Sequence, residues 1–118
     1  MTDFNAIDFS GGVSGAPILV AATATAGTLI HTAHATGKDE IYLYATNNSA
    51  SAVFLTIEFG GVAAKDNIRK SIPANTDAAN GGLILIIPGL RLTGSLVIRA
   101  FAGTTNVIAV SGTVNRAL

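Results

Sequence analysis

The chain has 118 residues, with seven basic and seven acidic side chains and no cysteine or tryptophan. A formal net charge of zero with only 12% charged residues removes the electrostatic drive toward nucleic acid or an anionic membrane. The missing cysteines exclude a disulfide framework and a thiolate metal site, and the length is that of one domain. Hydrophobic residues make up 49%, enough for a core, and the weak self-repulsion suits a protein that lives in an assembly.

Residues 1–16 form a polar, Gly-rich stretch that carries two aromatics, Phe4 and Phe9. We expect an extended N-terminal arm here, with Phe4 and Phe9 either covering the domain's own core or clasping a neighbour. No basic residue precedes the apolar stretch at 17–26, so we expect no leader peptide.

From Pro17 the pattern is β. Residues 18–25 and 28–35 read as strands divided by Ala26-Gly27. Residues 40–47 alternate Ile41, Leu43 and Ala45 with Tyr42, Tyr44 and Thr46. Residues 52–59 alternate in the same way, and the Asn47–Ser51 link between the two segments predicts an antiparallel hairpin. The spacing in 62–71 also fits a helical face, but we read a loop followed by a strand over 67–72, stopped by Pro73. Three closing strands are expected near 83–87, 94–102 and 106–115, cut by Pro88-Gly89 and by Gly103-Thr104-Thr105. They are apolar on both faces, more than one small sheet needs inside a single domain. About eight strands with regular turns predict a single-domain antiparallel β-sandwich, jelly-roll-like, over 17–118, with the arm at 1–16.

Chemistry is sparse. His31 and His34, three apart on a strand, point to opposite faces and chelate poorly. The seven acids present no distinguished pair for glycoside hydrolysis, no serine sits in a Gly-x-Ser-x-Gly elbow, and no Gly-Gly is followed by Gly-Lys-Ser/Thr. No catalytic, cofactor-binding or metal site is expected. Lys65, Arg69, Lys70, Arg91 and Arg116 read as solvated or salt-bridged cations. Arg99 stands out because it interrupts an apolar strand, with Glu58 on another strand as a partner to test.

Ile72-Pro73-Ala74, 83–87 with Pro88-Gly89-Leu90, Leu96-Val97-Ile98-Arg99-Ala100, Asn106-Val107-Ile108 and Gly112-Thr113-Val114-Asn115-Arg116 resemble small tailed-phage capsid decoration, or cement, proteins of the β-sandwich and jelly-roll type. The resemblance covers about the last 45 residues and implies a head-surface protein that sits at symmetry axes as a trimer and bridges capsomers. The expected function is therefore a non-enzymatic virion protein, assembled in the host cytoplasm, whose partners are its own copies and the major capsid protein, without cofactor, nucleic acid or membrane. We assign the oligomer interface to one face of the closing strands: Val97, Arg99, Phe101, Ile108 and Val110. The alternative is a tail-fibre or baseplate domain that binds a host glycan, provided that Tyr42 and Tyr44, beside Asn47-Asn48, face solvent.

Overall fold

A computed structural model describes residues 4–118; residues 1–3 of the expected arm lie outside the described residues. Nine strands follow one another: β1 (Phe4–Ile7), β2 (Ile18–Leu19), β3 (Thr28–Thr32), β4 (Lys38–Asn47), β5 (Val53–Phe59), β6 (Asn67–Ile72), β7 (Ile84–Leu92), β8 (Val97–Ala102) and β9 (Ile108–Ala117). One 3-10 turn at Ala64–Asp66 occupies the segment whose spacing also suited a helix. The all-β reading holds.

Two antiparallel sheets face each other. Sheet A runs β1-β9-β4-β7, with β2 also on β9, and sheet B runs β3-β8-β5-β6. The pairs are nested: β1 and β2 with β9, β3 with β8, β4 with β7, β5 with β6. A long hairpin folded over on itself gives this order, which is the winding of a jelly roll. Alternation then sets the core. Ile41, Leu43 and Ala45 of β4 face Leu55, Ile57, Ile98 and Ala100 of sheet B, and all are essentially removed from solvent.

The predicted hairpin between the fourth and fifth strands is not formed. β4 pairs with β7 and β9, whereas β5 pairs with β6 and β8. Two matching apolar stripes can lie side by side in one sheet or face to face in two, and here they are face to face. The crossing is fixed by the buried Asn47, whose amide donates to Ser51 O at 2.8 Å and Ile72 O at 2.9 Å while its Oδ1 accepts from Ser49 N at 2.9 Å.

The strand predicted over 18–25 contracts to β2, and residues 20–27 become a loop. The one predicted over 83–87 lengthens through Pro88 and Gly89, where the register against β4 slips by one residue. Proline is tolerated because β7 is an edge strand.

The N-terminal segment is extended at Phe4–Ile7, and it is a sheet member there, in register with β9 from Ala117 to Val114. Between β1 and β2 the chain leaves the sheet and drops Phe9 into the core. Gly112 makes room for it: a Cβ at that position would lie 2.9 Å from Phe9 Cζ. Phe4 stays three-quarters exposed. Of the two arm aromatics, Phe9 thus covers the domain's own core.

Candidate functional site

Three strands bring a buried ionic cluster together. His31 on β3, Asp39 on β4 and Arg116 on β9 meet where the two sheets close on each other. Arg116 Nε donates to Asp39 Oδ1 at 2.7 Å and Nη2 to Oδ2 at 2.8 Å, a two-pronged contact. His31 Nε2 lies 2.7 Å from Asp39 Oδ2, with both side chains fully buried. The backbone N–H of Ser10 donates to His31 Nδ1 at 3.1 Å, so that nitrogen carries a lone pair and the ring proton sits on Nε2. Burial resists ionisation of Asp39, but the hydrogen bonds from Arg116 and His31 outweigh it and hold the carboxyl at about 2, below its ordinary 3.8.

Serine, histidine and aspartate within one cluster invite a catalytic reading, and the geometry argues against this one. A triad needs the serine hydroxyl on the imidazole. Here Ser10 Oγ accepts from Thr32 N at 2.8 Å, and only the serine backbone touches the ring. His31 is closed in by the Phe9 ring, 5.9 Å away centre to centre. Sequence reading missed the pairing because His31 and Asp39, eight residues apart, sit on strands of different sheets. His34 instead closes its turn, its Nδ1 accepting from Gly37 N at 2.7 Å. No group of three metal-ligating side chains forms among the described residues.

A second carboxylate, Glu58, is buried on the outward side of sheet B, beneath the 20–27 loop. It accepts from Gly27 N at 2.7 Å and from the Thr25 hydroxyl. Gly27 presses on β8 so closely that a Cβ there would lie 2.5 Å from the Ala100 carbonyl carbon. Arg99 stands directly opposite Glu58 in the ladder, as a candidate partner should. No ion pair closes between them among the described residues. Arg99 Nη1 donates instead to Gly27 O at 3.3 Å, so both residues grip the same loop.

The residues assigned to an oligomer interface separate into two groups. Val97, Arg99 and Phe101 alternate with the buried Ile98, Ala100 and Ala102, and lie half-buried on the outer face of sheet B. Ile108 and Val110 are fully buried inside the monomer and are not interface residues. The reason is topological. β8 and β9 are consecutive in sequence but lie in opposite sheets, so the outward residues of β9 are on the far side of the sandwich, and Ile108 and Val110 belong to its inward phase.

Val97 and Phe101 have exposed apolar neighbours. Leu29 is opposite Arg99 on β3, and Phe54, 48% exposed, is on β5 with the Arg69 guanidinium 3.9 Å above its ring. The outer face of sheet A is different in kind. Tyr42 and Tyr44 point outward from β4, half-buried, opposite Thr113 and Ser111 of β9. Tyr42 Oη donates to Glu40 Oε1 at 3.2 Å, which raises the phenol pKa. Beyond Glu40 the face ends in a groove of about 380 Å³ bounded by Phe4, Lys38, Arg91, Asn115 and Leu118. Asn47, expected beside the tyrosines, is committed to the strand crossing.

Comparison with protein-family models, with curated proteins and with solved structures returned no match. Among the described residues every buried side-chain nitrogen and oxygen has a hydrogen-bond partner.

Proposed function

We propose that the protein is a non-enzymatic virion component, a decoration or cement protein that binds the major capsid protein on the outside of a phage head and associates with its own copies as a trimer. The observation that carries this reading is the outer face of sheet B. Val97 and Phe101 form a half-buried apolar row flanked by the exposed Leu29 and Phe54. An apolar patch crossed by Arg99, with Arg69 stacked on Phe54 at its side, matches the composition of association surfaces. Contacts distributed over several copies multiply, which suits a shell held against internal pressure.

The test is direct. Sedimentation of the purified protein should show an oligomer, and Phe101→Asp should give a folded monomer. Particles that lack the protein should lose integrity sooner on heating; equal survival would remove the stabilising role.

A second reading is favoured by Tyr42 and Tyr44, which stand on the outer face of sheet A as a glycan-binding domain of a tail fibre or baseplate would require. Aromatic faces beside polar side chains are the usual platform for sugars. A glycan array without hits would set it aside.

A further inference from the structure

We infer that the groove at the end of sheet A is a binding site for an acidic sugar, a pyranose that carries a carboxylate. The inference rests on the second reading above and names its ligand class. Most of the cations are already engaged. Arg116 is paired with Asp39 and Lys65 with Asp66, Arg69 lies on the Phe54 ring, and Arg99 donates to Gly27 O. Of the seven basic residues that leaves Lys38, Lys70 and Arg91, and among the described residues none of these three has a carboxylate within 4.0 Å. Lys38 and Arg91 both line the groove. They also line a second hollow of about 300 Å³, walled by Leu92 and Leu96. The two side chains thus form a ridge between two depressions, open to an anion from either side. A guanidinium takes a carboxylate in a two-pronged fork, and an ammonium beside it adds a point charge.

The remaining walls select the body of the ligand. Asn115 and Glu40 are opposite each other in the ladder, an amide that donates and accepts beside a carboxylate that accepts. That is the complement of vicinal hydroxyls. Phe4, 75% exposed, and Leu118, 54% exposed, supply an apolar flank for the ring's C–H face. Glu40 also limits the charge of the ligand. It is opposite Arg91 on the neighbouring strand, so the described side chains that line the groove bring two cations against one carboxylate. A single carboxylate balances that set, whereas a doubly charged phosphate would be driven against Glu40.

The experiment is an amide-resonance titration of the whole chain with three probes: a glucuronate oligosaccharide, a neutral glucose oligosaccharide of equal length, and acetate. The glucuronate oligosaccharide should shift Gly37, Lys38 and Asn115 and bind more tightly than the other two. Affinity should fall by about tenfold or more, the loss of roughly one charge-assisted contact, in a Lys38→Ala, Arg91→Ala double variant. It should also fall as salt is raised. Both side chains are exposed, so the thermal midpoint of the double variant should match the parent's. Equal binding of the neutral oligosaccharide would overturn the acidic preference and leave the glycan reading standing. Acetate binding as tightly at the same residues would overturn the sugar body. Absence of binding by either oligosaccharide would overturn the site and count against glycan recognition by this face.

Discussion

Asp39 and Glu58 are both carboxylates withdrawn from solvent, yet Asp39 is met by an arginine and an imidazole while Glu58 is met by a hydroxyl and a backbone amide. The difference follows what each one holds. Asp39 joins β3 of sheet B to β4 and β9 of sheet A, so its contacts tie the two layers together. Glu58 holds the 20–27 loop against the outside of sheet B, a contact within one layer. A charged partner costs desolvation on both sides and is retained where geometry is rigid. Neutral donors suffice where a loop has only to be held down.

The largest expected effect tests the first member of this pair. Asp39→Ala strips the buried His31 and the half-buried Arg116 of their shared acceptor, and should lower unfolding free energy by about 3–5 kcal/mol in urea denaturation. Imidazole nitrogen shifts of the parent protein should show the proton on Nε2 of His31. A proton on Nδ1 would contradict the Ser10 contact and the cluster built on it.

Acid should then weaken the hold of Asp39. Asp39 titrates at about 2 in the native chain against an ordinary 3.8. Its contribution, about 2 kcal/mol, is fully present above pH 3.8 and is lost as the pH falls toward 2, because the unfolded chain takes up the proton first. In Arg116→Gln the native pKa should rise and this acid-dependent loss should shrink. An unchanged acid profile would mean that Arg116 does not hold the carboxylate.

Glu58→Gln keeps an acceptor for Gly27 N but removes the charge from both contacts and makes Thr25 the acceptor, and should cost about 1.5 kcal/mol. Its signature should be local, with faster amide exchange in 20–27 and little change elsewhere. A loss as large and as global as that of Asp39→Ala would erase the distinction between the two sites. The smallest effect belongs to the outer face. Val97→Asp, at a half-buried strand position, should cost about 1 kcal/mol while abolishing self-association, whereas Ile98→Asp, one residue along, should unfold the chain.

Sequence alone reached the all-β sandwich because alternation on 40–47 and 52–59 and the turn residues between strands are local signals. β6 falls where Pro73 and the pattern place it, at Asn67–Ile72. Sheet membership was not legible. Nothing local distinguishes two apolar stripes that pair edge to edge from two that stack, so β4 and β5 were expected as a hairpin and Ile108 and Val110 as surface. Both corrections come from the same crossing of strands between sheets. The ionic cluster was hidden for a related reason: its three members are separated by many residues and meet through topology. Glu58 was a partner to test for Arg99; the two are opposite each other in the ladder but form no ion pair among the described residues, because the 20–27 loop takes both side chains.

The pairing of β1 with the far end of β9 also bears on how the chain acquires its shape. Phe4 is in register with Ala117, so the edge of sheet A cannot assemble until the chain from residue 4 to residue 117 is available. Synthesis must therefore have passed Ala117 before this ladder forms, and β1, made first, waits without its partner strand in the meantime. High contact order of this kind predicts folding on the millisecond-to-second scale, set by the search for distant partners and not by local propensity. During that interval a β1 segment from another molecule is a competitor for the same slot, and exchange of this strand between copies is the misfolding route the topology leaves open.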